Sequence, residues 1–183
     1  MTRKTITALY TQADSSFPDN QSAFITPALL RDFVKDFLDT VRPSYAALSL
    51  VSVSVPMTTA YGVFTWTTQI AAQAPDWTTS LASGLITRSD GPASTRISFS
   101  CSAVAPNNTI LTFTLFVDGV ATAWSTSNTS TSATDVQSFA FTAVSYSANL
   151  SPNYQIQAKV SVNGNVSLSN GALVCENIPV NVN

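Results

Sequence analysis

Ile97-Ser98-Phe99-Ser100-Cys101-Ser102-Ala103 alternates apolar and hydroxyl-bearing side chains, residue by residue. A period of two places the apolar groups on one side of an extended strand and the three serines on the other. The rhythm returns in Leu111, Phe113, Leu115 and Val117, with Thr112 and Thr114 between them. Asp118-Gly119 then supplies a two-residue hairpin turn into a strand over 120–125. Phe139, Phe141 and Ala143 form a further inward row, and Tyr154, Ile156, Ala158, Val160 and Val162 a longer one, with Gln155, Gln157, Lys159 and Ser161 outside. Asn163-Gly164 turns that strand back towards Val166 and Leu168, and 172–182 closes the sheet. Residues 48–55 and 61–70 read as two more strands, whose alternation breaks at Leu50-Val51 and Val63-Phe64, the mark of bulges. About eight short strands predict a mainly β body over 46–183, an antiparallel β sandwich of the jelly-roll kind.

Composition fits that body. Twenty-four Thr and 25 Ser supply the polar outer faces, while only 10% of the 183 residues are charged and the net charge is −2. Threonine also suits a pleated surface because it is β-branched. The chain has no histidine, which removes Ser-His-Asp triads and most zinc or iron sites. Three basic residues after position 45 cannot neutralise a phosphate backbone, so no nucleic-acid partner is expected. No apolar run reaches the ~18 residues of a membrane span. Arg3 and Lys4 are followed by no apolar stretch, so the start does not read as a secretory signal and synthesis in a cytoplasm is expected.

The charges cluster towards the front. Residues 1–45 hold ten of the eighteen, and Pro43 marks the change to the Ser/Thr-rich body, dividing the chain into 1–43 and 46–183. Residues 1–25 carry no sustained period and read as an extended arm ordered by a partner. Thr26-Pro27 then starts a helix: Thr caps free N–H groups and Pro fits the first turn. Leu29, Leu30, Phe33, Val34, Phe37, Leu38 and Val41 follow on one helical face, and Pro43 stops it. Leu30, Val34, Phe37 and Val41 are spaced as the seam of a short coiled coil and are the candidate interface residues. A helix this short must bury such a stripe, either on its own body or against copies from neighbouring subunits; the second is the expectation adopted.

Phe17-Pro18-Asp19-Asn20, Ile25-Thr26-Pro27 and Leu30-Arg31-Asp32 together resemble a segment near the N-terminus of tailed-bacteriophage fibre, spike and head-decoration proteins. The resemblance covers roughly 14–42. It implies a virion structural protein whose residues 1–43 attach to capsid or tail while an outer β domain projects, often as a trimer. The strand rhythm of the body is similar to the tumour-necrosis-factor-like jelly rolls that end many phage fibres, which implies a homotrimer. The short chain, without a repetitive shaft, leans towards a head fibre or decoration protein. The alternative is a tail-fibre receptor-binding module that recognises a host surface polysaccharide or protein.

No catalytic constellation emerges from the residues. Asp76, Asp90, Asp118, Asp135 and Glu176 have no convergent spacing, and Asp118-Gly119 and Asp90-Gly91-Pro92 are turns, so no glycosidase pair is assigned. Lys159 has no serine three residues before it. Neither a phosphate loop nor a calcium loop is present, and no cofactor, metal ligand or enzymatic activity is expected. Cys101 and Cys175 fall on inward strand positions and read as reduced, buried small hydrophobes. Five Asn-x-Ser/Thr triplets are a by-product of composition. The segment 124–134 reads as a hydroxyl-rich loop, where Trp124 and Asn128 are the candidate glycan contacts. Phe116 and Trp124 are out of phase with the inward rows and are candidates for an intersubunit surface.

Overall fold

Alternation becomes strand wherever one face can be buried. The computed structural model describes residues 8, 11–13, 15, 30–35, 37, 44–72, 76–89 and 93–178. Among these residues eleven strands run in chain order: β1 (Tyr45–Met57), β2 (Gly62–Val63), β3 (Thr68–Ala72), β4 (Trp77–Ser80), β5 (Leu85–Arg88), β6 (Ala93–Val104), β7 (Ile110–Val117), β8 (Val120–Thr129), β9 (Gln137–Ser147), β10 (Asn153–Val160) and β11 (Gly164–Ile178). Their pairings are antiparallel throughout. They make two sheets, one in the order β3-β1-β11-β6-β9 and one in the order β4-β5-β10-β7-β8, with β2 added beside β10. This is the expected two-sheet antiparallel sandwich. By its internal contacts the chain divides into Ser44–Ile178 and a unit of Met1–Pro43 with Pro179–Asn183.

The rows read from the sequence meet between the sheets, except that Val162 lies beyond the end of β10 and is exposed. Ile97, Phe99, Cys101 and Ala103 of β6 and Phe139 and Ala143 of β9 face Leu111, Phe113 and Leu115 of β7 and Tyr154, Ile156, Ala158 and Val160 of β10 in one buried cluster. Phe113 is fully buried. Its ring centroid lies 4.9 Å from that of Phe139, 5.1 Å from Phe99 and 6.1 Å from Phe64. Offset and edge-to-face aromatic contacts of this kind add to the burial of the rings themselves.

Four local readings change. The segment 61–70 is not one strand: β2 and β3 are short pieces separated by Phe64 and Trp66, which are 2% and 3% exposed and plunge into the core from irregular backbone. β4 and β5 went unrecognised because each is four residues long and their tight turn is set by Gly84 at φ +64°. Residues 124–129 belong to β8, so only 130–136 link it to β9. In that link Ser130 is fully buried and its hydroxyl lies 3.1 Å from the Ala105 carbonyl. Finally, 164–178 is one strand. Leu48 and Leu50 face inward before Val51, and Val53, Val55 and Met57 after it, while β11 changes face at Asn170 opposite (φ +50°). Because both strands switch together, their pairing register is unbroken. The break anticipated at Leu50-Val51 is thus a matched change of face, and the extra residue of β11 is a bulge against β6.

The N-terminal arm also differs from expectation. Ala8, Thr11–Ala13 and Ser15 are helical rather than extended, since Gln and Ala favour helix and Ser15 Oγ donates to the Gln12 carbonyl at 3.0 Å. Leu30 to Lys35 and Phe37 are helical, as the 3.6-residue period required.

Cys101 and Cys175 are free and buried. Cys175 pairs with Ile97, four residues along β6 from Cys101, so their Cα atoms are on the order of 13 Å apart, beyond disulfide reach. Burial pushes the Cys101 thiol from 9.0 up to about 11, partly offset by a backbone hydrogen bond with Ser169, and burial likewise raises Cys175.

Three outcomes are expected. Phe113→Ala should cost about 3–5 kcal/mol in a urea melt, because three rings lose their common neighbour. Gly171→Ala should cost about 1–3 kcal/mol, since a Cβ there would stand 2.9 Å from Cδ2 of the buried Leu50. Below pH 9 the thiols are protonated both folded and unfolded. Between pH 9 and 11 only the unfolded chain ionises, so stability should fall by about 1.4 kcal/mol per pH unit per thiol. Urea midpoints at pH 8 and 10 measure the slope, and Cys101→Ala should reduce it.

Candidate functional site

Two sheet faces are available for function. On the sheet containing β6, the odd residues are used by the core, so the even ones point outward. Thr142 of β9 pairs with Ser98 of β6, which pairs with Val174 of β11; Ala140, Ser100 and Ala172 form the next row. These six side chains line a shallow groove of about 250 Å³. Farther along β9 the same face presents Val144 and Tyr146, 54% and 68% exposed. Its ionised groups, Arg96 and Glu176, are cross-strand partners and neutralise each other at 3.6 Å. The groove part of this face is therefore small-chained, and among the described residues the face carries no net charge.

The outer face of the opposite sheet is built differently. Gln155, Gln157 and Lys159 of β10 stand in register with Phe116, Thr114 and Thr112 of β7. Thr114 and Thr112 are in turn opposite Ser125 and Ser127 of β8. Tyr61 folds over this surface: its hydroxyl is 3.0 Å from Thr114 Oγ1, its ring meets Phe116 edge-on at 5.3 Å, and Lys159 Nζ lies 4.4 Å above it. Phe116 is consequently 8% exposed. Its out-of-phase position reflects cover from its own chain rather than a residue left for a partner.

Other candidates are placed as follows. Leu30, Val34 and Phe37 remain 50%, 44% and 48% exposed, and Val41 lies outside the described residues. Trp124 and Asn128 are exposed and share one side of the edge strand β8, but four residues of extended chain, roughly 13 Å, separate them. Asn128 Oδ1 already accepts the Thr129 N–H at 2.9 Å.

The carboxylates are dispersed. Asp118 Oδ1 accepts the Asn153 N–H at 2.9 Å and Oδ2 accepts Asn149 Nδ2 at 2.5 Å, tying the β7–β8 turn to the β9–β10 loop. Asp135 accepts the Thr131 hydroxyl at 3.1 Å, Glu176 pairs with Arg96, and Asp76 is buried beside Trp77. Asp90 lies outside the described residues. Among the described residues no three His, Cys, Asp or Glu side chains cluster as metal ligands, and no helix is long and apolar enough to cross a membrane. The buried thiols, raised well above neutrality, are not nucleophiles at physiological pH. Sequence reasoning missed Tyr61; the only signal for it was an aromatic next to Gly62 in a segment with broken alternation.

No family model matches this sequence, and no curated protein does. Solved structures do match in fold. A murine APRIL crystal structure at pH 5.0 superposes with a TM-score of 0.54 at 10% identity, covering 75% of this chain and 100% of that one. Eiger TNF from S. frugiperda gives 0.54 at 12%, covering 75% and 94%. The globular domain of zebrafish complement 1qA gives 0.51 at 12%, covering 76% and 99%. The β unit therefore has the two-sheet jelly-roll fold of TNF-like and C1q-like domains.

Proposed function

We propose that this chain is a non-enzymatic structural subunit of a bacteriophage particle, a head fibre or decoration protein. In this reading residues 1–43 attach to capsid or tail proteins, and the β unit is displayed outward as a homotrimer. The observation that carries it is the outer face of the β3-β1-β11-β6-β9 sheet. Ser98, Ser100, Ala140, Thr142, Ala172 and Val174 offer a flat groove whose short side chains let another copy approach closely. Interface cores are depleted in charge in the same way. The jelly-roll likeness to TNF-like and C1q-like domains supports a trimer, and the resemblance of 14–42 to phage attachment segments supports the setting. The exposed stripe of Leu30, Val34 and Phe37 supports attachment, because about half of each side chain is left for another surface.

A second reading, a tail-fibre module that binds host polysaccharide, is favoured by the amide- and hydroxyl-lined outer face beneath Tyr61.

Light scattering of the purified chain at micromolar concentration should return three times the chain mass. Thr142→Arg, at an exposed position in the groove, should give a folded monomer by placing a charge inside the interface. A wild-type monomer, or a Thr142→Arg trimer, sinks the assignment of that face. Leu30→Asp with Phe37→Asp should abolish incorporation into particles; full incorporation of that variant removes the role given to the stripe.

A further inference from the structure

We infer that the outer face of the β10-β7-β8 surface is a binding site for an acidic saccharide, centred on Lys159 and walled by Tyr61. The inference rests on the receptor-binding reading and not on the trimer, and it places recognition away from Trp124 and Asn128.

Register builds the site. One cross-strand row is Lys159, Thr112 and Ser127; the next is Gln157, Thr114 and Ser125. Three strands at the usual spacing make this shelf about 10 Å wide, and alternate residues make it about 7 Å long, the scale of one or two pyranose rings. Part of the shelf is pre-organised. Gln155 Nε2 donates to the Ser83 carbonyl at 2.5 Å, and its Oε1 accepts from Gln157 Nε2 at 2.7 Å, which holds the Gln157 amide in one orientation. Thr114 is buried beneath Tyr61 and engaged by its hydroxyl, so the open part of the shelf is formed by its neighbours. By contrast, the hydroxyls of Thr112, Ser125 and Ser127 and Oε1 of Gln157 have no partner among the described residues. These are the donors and acceptors that match sugar hydroxyls.

Charge selects among sugars. Lys159 is the ionised residue of both rows, and no carboxylate of the described residues pairs with it. Its ammonium rests on the Tyr61 ring and still has donors for an incoming anion. A carboxylate on the saccharide would complete a charge-assisted hydrogen bond that a neutral sugar cannot make. Tyr61, 36% exposed, gives the rim an aromatic edge for the apolar side of a ring.

The test is an array of carboxylated saccharides (uronate-, sialate- and pyruvate-bearing), each printed beside its neutral counterpart and probed with the full chain. Binding to carboxylated members over their neutral matches is expected, weakening as salt rises. Lys159→Gln should lower affinity about tenfold or more, Lys159→Arg should retain most of it, and Thr112→Val should lower it several-fold, with melting temperatures showing that each variant folds. Trp124→Ala should bind as the wild type does. Absence of saturable binding to any carboxylated member overturns the proposal, as does equal binding of neutral matches or an unchanged Lys159→Gln. Loss of binding in Trp124→Ala alone moves recognition to β8 and overturns it too. Light scattering of the same samples separates this failure from failure of the trimer, because neither outcome depends on the other.

Discussion

Phe113 sits where the two sheets touch, and its ring is in contact range of Phe139 and Phe99 from the opposite sheet and of Phe64 from the segment that crosses between them. A chain with so few charged groups draws little from ion pairs, and an exposed pair such as Arg96 with Glu176 contributes little in any case. Stability therefore comes from apolar burial, to which the aromatic cluster adds its ring contacts. Residues far from Phe113 serve the same packing. Gly171 lacks a side chain because Leu50 occupies the space, and the paired change of face at Val51 and Asn170 keeps the apolar rows of both long strands inward.

Once the core is closed, alternation has a second consequence: whatever is not inside must cover the two outer faces. Serine and threonine do so on both, yet with different neighbours. On one face they alternate with Ala and Val and the charges cancel, which leaves a surface suited to another protein surface. On the other they stand beside Gln155, Gln157 and Lys159 under Tyr61, a surface with hydrogen-bonding capacity and one sign of charge. A single composition thus yields two chemically distinct exteriors, separated by the thickness of the sandwich.

The rows from Ile97, Leu111, Phe139 and Tyr154 were legible because each has a strict period of two and is bounded by turn residues such as Asp118-Gly119 and Asn163-Gly164. The segment 61–70 was not, because its apolar residues belong to different surfaces: Tyr61 lies outside one sheet while Phe64 and Trp66 lie between the two. Periodicity cannot separate those cases. β4 and β5 were too short for any period to appear, and their place depends on Trp77, whose Nε1 donates to Ser44 Oγ at 3.1 Å across 33 residues. Of the candidate site residues, Leu30, Val34 and Phe37 were found as a stripe because a helix repeats locally. The shelf around Lys159 was not found, since it joins residues from four separate stretches of chain.

The amino-acid order alone determined the class of fold, the inward rows, the helical stripe near the front and the scarcity of titrating chemistry, because each is a local pattern or a count. Only the tertiary structure decided that Phe116 is covered by Tyr61, that the two cysteines stand apart on neighbouring strands, and which hydroxyls share a face with Lys159. Those facts depend on strand register, and register is set by packing between sheets that are distant in sequence.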